Sequence, residues 1–397
     1  MRIWLPFVAG ACAGVVVGAL AGAAPAQVAP GPRPEAVFAL DAKLLADSAD
    51  VVVLESISGG RVAVSPKLSG RVMTSAFSDK EPGFGLINRE LIGKPPVARG
   101  FNNYGGEDRL WLAPEGGPYG LYFDAGAKQE LANWYVPLAM DGGPRTVASK
   151  DATSVTFRDR IQMKNVKNVA FDLTIERKVE LLDKAALEAL LGVTFKKEMR
   201  FVAFRTTNTL KNEAKSALPE EGLIAPWILG QFKPSAVNSV LLPFKGAPDV
   251  IKRDYFGVVP EDRLKLELTA DGGVARFKAD GQMRTKIGVS AAGALGWLGA
   301  WDAQRAVLTL VNHSLPPAGS VVPDCNWIDP NPKAKSGDVA TSYNHGQEPR
   351  FFELESIGPA MPAAPGGAVT HVQTTIHLTG DLGTIAALAA KLLNAKL

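Results

Sequence analysis

Cysteine and histidine are scarce, and their scarcity removes whole classes of chemistry. Cys12 and Cys325 are the only cysteines in 397 residues. Cys12 falls in an apolar N-terminal stretch expected to be removed, so the mature chain keeps Cys325 alone and has no intramolecular disulfide. A thiolate zinc site is excluded for the same reason. There are four histidines, none before His313. His371 and His377 lie on one face of a strand pattern but ~20 Å apart along an extended chain, too far for one metal ion. The phosphate loop, the dinucleotide fingerprint, H-E-x-x-H and G-x-S-x-G are all missing, so no cofactor and no metal are implied. Charge is nearly balanced, 43 basic against 40 acidic residues, with no Lys/Arg run dense enough to track phosphates, so nucleic acid is not the expected partner. No fixed-period repeat is present, which argues against a propeller or solenoid.

Arg2, an apolar run from Ile3 to Ala24 and Ala24-Pro25-Ala26 before Gln27 have the order of a secretory signal. Residues 1–26 are read as that signal and 27–40 as a linker, which places the protein in the periplasm or outside the cell. Two alternatives stay open for contact with a membrane: the run remains as an N-terminal anchor, or Cys12 carries a lipid.

From Val51 onward, short β-branched runs are broken by Gly and Pro, and longer segments such as Val169–Val179 alternate apolar and polar residues, the mark of half-buried strands. Leu264–Leu268 and Val274–Lys278 flank a hairpin signal. Helices are predicted over Asp41–Ala49, over Asp183–Leu191 with Asp183 as N-cap and Gly192 as stop, and over Leu382–Leu397. The fold class is therefore mainly β: a large antiparallel β-sandwich with a short internal helix and a C-terminal helix, one domain over 41–397. More than half of the ordered residues are expected in strands, around one continuous core from Val51 to Leu378.

The least ordinary stretch is Phe101–Phe123, with six aromatics, three carboxylates, one arginine and five glycines. It fits neither a helix nor a strand. Aromatic faces beside bidentate polar groups suit a sugar, whose ring has an apolar C–H face and a rim of hydroxyls. Asn103, Tyr104, Glu107, Asp108, Arg109, Trp111 and Glu115 are its candidate ligand-binding residues. The bland alternative is a buried network with Arg109 pinned by Glu107 or Glu115. A second stretch, Tyr343–Leu378, adds Tyr343, Asn344 and His345 in a polar and aromatic loop. In Arg350–Ser356, alternation puts Glu353 and Glu355 on one strand face about 6–7 Å apart, a spacing found in glycoside acid/base pairs. A solvated edge strand would show the same pattern.

Phe352-Glu-Leu-Glu-Ser, a Pro-rich connection, Pro365-Gly-Gly and the alternating strand Val369–Leu378 resemble the last third of aldose 1-epimerase (galactose mutarotase-like) proteins. Asn102–Trp111 is similar to the early segment of such domains. Together with Trp227-Ile-Leu-Gly-Gln-Phe, these segments look like a group of exported bacterial proteins within that superfamily that has no assigned function. The resemblance implies a β-supersandwich that binds carbohydrate, with Glu355 in the place of the general base and Trp227 as a stacking platform or a core anchor. Mutarotases also carry a His acid on a central strand, roughly where this chain reads Gly222–Gly230, and no His stands there. Arg109, His345 or Glu353 would have to replace it. Three functions follow. One is an exported protein that binds a mono- or oligosaccharide by aromatic stacking and Arg/Glu hydrogen bonds. The second is an epimerase- or lyase-like enzyme using Glu355, Arg109 and His345. The third is an envelope protein with a vestigial cleft.

Overall fold

The long alternating segments assemble into a ten-stranded antiparallel sheet. Its order runs Leu264–Thr269, Gly272–Lys278, Ser239–Lys245, Trp297–Asp302, Val307–His313, Ala368–Thr379, Arg200–Asn212, Ala170–Leu181, Ser154–Lys164, Val147–Lys150. A six-stranded sheet stacks on it, in the order Ile251–Lys252, Thr285–Ser290, Asp338–Asn344, Phe352–Ile357, Ala225–Phe232, Arg109–Ala113. A smaller three-stranded sheet joins Val52–Glu55, Arg61–Ser65 and Arg71–Ala76. Every pairing between these strands is antiparallel, for example Val369↔Leu210 and Leu354↔Gly230. The computed structural model describes residues 35–397; the signal reading and most of the linker fall outside the described residues. No helix among the described residues is long and apolar enough to cross a membrane.

Local chemistry sets the helix ends. Lys184–Leu191 starts where the Asp183 carboxylate accepts the Ala186 N–H and stops at Gly192, whose φ of 62° is left-handed. The last helix spans Leu382–Leu393, capped by Asp381, and ends at Asn394 with φ 53°. That is short of the expected Leu397, because Asn tolerates the left-handed turn that closes the helix. The first helix, Phe38–Ser48, begins inside the stretch read as linker. Four short elements were missed by alternation altogether: the single helical turn Leu138–Asp141 and the 3₁₀ turns Gly117–Tyr119, Leu131–Asn133 and Pro248–Val250.

Two expectations about the sandwich need correction. Strands hold fewer than half of the described residues, because long ordered loops over 77–108, 114–146 and 314–337 lie between them. The core is also not continuous. One apolar cluster fills the space between the two large sheets, with Ile228, Leu354, Leu173 and Phe277. A second lies under the helices on the far face of the ten-stranded sheet, with Leu187, Ile376 and Leu388. Two more pack the three-stranded sheet against Phe157 and Phe204 on one side and against Phe38 and Leu45 on the other.

A band of buried polar groups crosses the interior between these clusters. Asp108 accepts from Arg177 at 2.7 Å, from Thr206 at 3.1 Å and from Gln373 at 3.2 Å. Arg177 also donates to Asn208 Oδ1 and to the Gly70 carbonyl. Glu107 accepts from Ser75 and meets His377 Nε2 at 2.6 Å, while His377 Nδ1 meets the Thr309 hydroxyl. Ser356 links His371 to Gln373. Charges taken out of water persist only when paired and hydrogen-bonded, and this band meets that requirement across three sheets.

Candidate functional site

The strand Arg109–Ala113 separates two environments by parity. Leu110 and Leu112 face the ten-stranded sheet, whereas Arg109 and Trp111 share the outer face of the six-stranded one. Register carries that face across the sheet: Arg109, Leu229, Glu355 and Thr341 stand in one row, and Gln231, Glu353, Tyr343 and Lys286 in the next. Neighbours in such rows sit within side-chain contact. Glu353 and Glu355 therefore share the outer face, as alternation predicts, while Phe352 and Leu354 pack inward.

Over this face lies a cleft of about 530 Å³. Its floor includes Trp111, Trp227, Lys286, Tyr343 and Glu353, and the loops add Glu115, Trp134 and Trp327 on one side and Arg284, His345 and Phe351 on the other. The rings of Trp134 and Trp327 are stacked with centroids 6.3 Å apart, and Trp111 meets Trp227 edge-on at 5.9 Å. A Cβ at Gly116 would fall 2.6 Å from Trp327 Cδ1, so only glycine lets the Glu115 loop press against that indole.

Beneath the floor the charges are paired. Glu355 is fully buried; its Oε2 accepts from Lys286 Nζ at 2.8 Å, from the Thr341 hydroxyl at 2.8 Å and from Trp227 Nε1 at 3.0 Å. Burial disfavours the Lys286 ammonium, but Glu355 and then Glu115 outweigh that and hold its pKa above the usual lysine value. Glu353 is paired with Arg109, whose guanidinium lies over Trp111 at 4.8 Å. Burial pushes the Glu353 carboxyl up from 4.5 to about 7; Arg109 pulls it down and Glu355 pushes it further up. Glu115 is raised to about 6, again by burial, against the pull of Lys286 and of the Trp327 and Trp134 indoles. Trp134 Nε1 lowers that value without the alignment of a hydrogen bond, and it remains a buried donor without a protein partner. Arg109 Nη1, Trp111 Nε1, Gln231 and Glu355 Oε1 are likewise buried and unmatched. Such atoms are rare in folded proteins, and five residues of this one that carry them gather at or behind the cleft.

The residues singled out from sequence divide in two. Trp111, Glu115, Trp227, Tyr343, His345 and Glu353 line the cleft. Arg109 and Glu355 stand directly behind it, bonded to the lining residues Glu353, Trp227 and Lys286. Asn103, Tyr104, Glu107, Asp108 and Asn344 are not brought into it. Glu107 and Asp108 belong to the interior band. Tyr104 is buried in the cluster under the first helix and donates to the Lys94 carbonyl. Asn103 is half-buried elsewhere. Asn344 fixes a turn, accepting from Gly281 N and donating to the Met283 carbonyl, both at 2.8 Å. Lys286, Arg284, Trp134 and Trp327 were missed. Lys286 stands in the strand Thr285–Ser290, and alternation there does not tell a solvated lysine from a buried one.

Residues 36–397 match a family of unknown function, DUF6786. No curated protein matches. Solved structures similar to this chain include galactose mutarotase-like and aldose 1-epimerase-like proteins. A galactose mutarotase-like protein from Lactobacillus casei is 10% identical with a TM-score of 0.49, over 83% of this chain and 100% of that one. A galactose mutarotase related enzyme from Lactobacillus acidophilus is 10% identical with a TM-score of 0.42, over 83% and 97%.

Replacing Arg109 tests the paired floor. Because the folded-state pKa of Glu353 lies above its ordinary 4.5, its neutral form is the one folding favours, and that contribution fades as pH rises through about 7. Arg109→Ala removes the cation that offsets the charge. The expected loss in urea denaturation is ~3–5 kcal/mol at pH 8, where an orphaned carboxylate stays buried. It should shrink clearly at pH 5, where Glu353 takes up a proton. Equal losses at both pH values would show that Glu353 does not titrate in this way.

Proposed function

The chain belongs to DUF6786, a family of unknown function, and we propose that it binds a saccharide in the cleft over the six-stranded sheet. The observation that carries this reading is the convergence, in one cavity of about 530 Å³, of flat indole walls with Glu115, Glu353 and Lys286 and with buried polar atoms lacking protein partners. The indole wall that Trp134 and Trp327 form offers an apolar surface for the C–H side of a pyranose, and the carboxyls and indole N–H groups meet its hydroxyls. A cavity of this size takes a mono- or disaccharide. The apolar run and small-residue site at Met1–Ala26 support export; a native protein whose mass begins at Gln27 agrees with it, and one that retains Met1–Ala26 does not.

A second reading, sugar modification by proton transfer, has one observation in its favour. Glu353 lines the cleft with a pKa of about 7, where a carboxyl both gives and takes protons. Glu355, expected as the base, is instead sealed behind the floor with three donors on one oxygen. In this reading Glu353 is the proton-carrying group and Glu355 and Arg109 set its charge.

Calorimetry with a panel of mono- and disaccharides separates binding from a vestigial cleft. At least one sugar should bind the wild type, and Trp327→Ala should weaken it by about 10-fold or more, the size of a lost stacking contact. Thermal stability should change little, since Trp327 is only partly buried. No heat with any sugar would count against the reading.

A further inference from the structure

One end of the cleft carries a positive charge with no acid beside it. Among the described residues most arginines pair with a carboxylate, as Arg109 does with Glu353, Arg177 with Asp108 and Arg263 with Asp280. Arg284 lines the cleft and makes no such pair. Its position is built. Thr285 stands opposite Asn344 and Lys286 opposite Tyr343, so alternation places Arg284 on the cleft face with Lys286, across from His345. Asn344 fixes the turn just before it through Gly281 and Met283. A Cβ at Gly346 would fall 2.7 Å from the Arg284 nitrogen, so the two backbone segments touch there.

The head group is held by stacking. Its guanidinium carbon lies 3.7 Å from the centroid of the Phe256 ring, and Phe256 meets Tyr343 edge-on at 5.9 Å. Stacking occupies the face of a guanidinium and leaves the N–H groups along its edge, part of which lies toward the Tyr343 hydroxyl, for a planar anion. The Tyr343 hydroxyl and His345 Nδ1, 2.9 Å apart, line the same end with Gln282 and Gln347. His345 stacks on Phe351 at 4.5 Å, which closes that wall. An ordinary solvated arginine has neither a ring beneath it nor a cavity before it.

We propose that this end of the cleft is a subsite for an anionic substituent on the bound sugar, a uronic acid carboxylate or a phosphate or sulfate ester, received by the Arg284 guanidinium. The inference rests on the saccharide reading of the same cleft. The anion would complete a charge balance in which Lys286 and Arg109 already have acids and Arg284 does not. Lys286 and Glu115 then contact the hydroxyls further in.

Calorimetry on the full mature chain tests it with D-glucose, D-glucuronate, D-glucose 6-phosphate and D-glucose 6-sulfate, and with the corresponding galactose series. An acidic member should bind about 10- to 100-fold more tightly than its neutral parent, as expected for a charge-assisted hydrogen-bonded pair. Which of the three anions leads identifies the source of the charge. Arg284→Ala and Arg284→Gln should both erase that preference while neutral-sugar affinity stays within about two-fold, and because Arg284 is exposed both variants should keep the wild-type melting temperature. Equal binding of acidic and neutral sugars, or a preference that survives both substitutions, overturns the subsite and leaves the saccharide reading standing. Absence of binding by every sugar in both series overturns the saccharide reading, and the subsite with it.

Discussion

Everything at the cleft depends on the Lys286–Glu355 ion pair, buried on the outer face of a sheet. Two charges removed from water cost several kcal/mol each unless geometry and further hydrogen bonds compensate. Here Trp227 and Thr341 complete the donors around Glu355 Oε2, and the Lys286 ammonium lies 5.2 Å from the centre of the Trp227 ring. With this pair in place the neighbouring row can hold a second acid, Glu353, against Arg109. The sheet thereby supports a polar floor that remains buried, and the loops can close aromatic walls over it.

Adjacent residues of one short run serve separate networks. Asp108 reaches inward to Arg177 and Gln373, and Arg109 reaches outward to Glu353. One residue of parity divides the band that ties three sheets together from the floor of the cleft. This explains why Glu107-Asp108-Arg109 looks so unlike a loop: none of the three is solvated, and each has a different partner. Of the two readings open from sequence, the buried network is present, but Arg109 is held by Glu353 rather than by Glu107 or Glu115; the binding site beside it is the reading proposed above.

What was legible in the sequence follows the same division. Strands of the ten-stranded sheet with one face on a cluster and one toward solvent alternate, and Ser154–Lys164 and Ala170–Leu181 stood out accordingly. Five strands were missed: Arg109–Ala113, Ala225–Phe232, Ile251–Lys252, Trp297–Asp302 and Asp338–Asn344. Four of them belong to the six-stranded sheet, and both Arg109–Ala113 and Ala225–Phe232 are buried along their whole length. A strand covered on both faces has no polar side to reveal its period. Glu353 and Glu355 were read correctly as one face because Phe352 and Leu354 mark the other. Which glutamate faces the cleft was not legible, since that depends on Lys286 and Arg109 arriving from strands distant in sequence.

The most direct test of the central claim, that this floor and these walls form a saccharide site, is a crystal structure of the protein soaked with the tightest sugar of the calorimetric panel. The account predicts a sugar ring lying on Trp134 or Trp327, with hydroxyls within hydrogen-bond distance of Glu115 and Glu353. A sugar bound outside the cleft, or one in it that touches neither carboxyl, would contradict it.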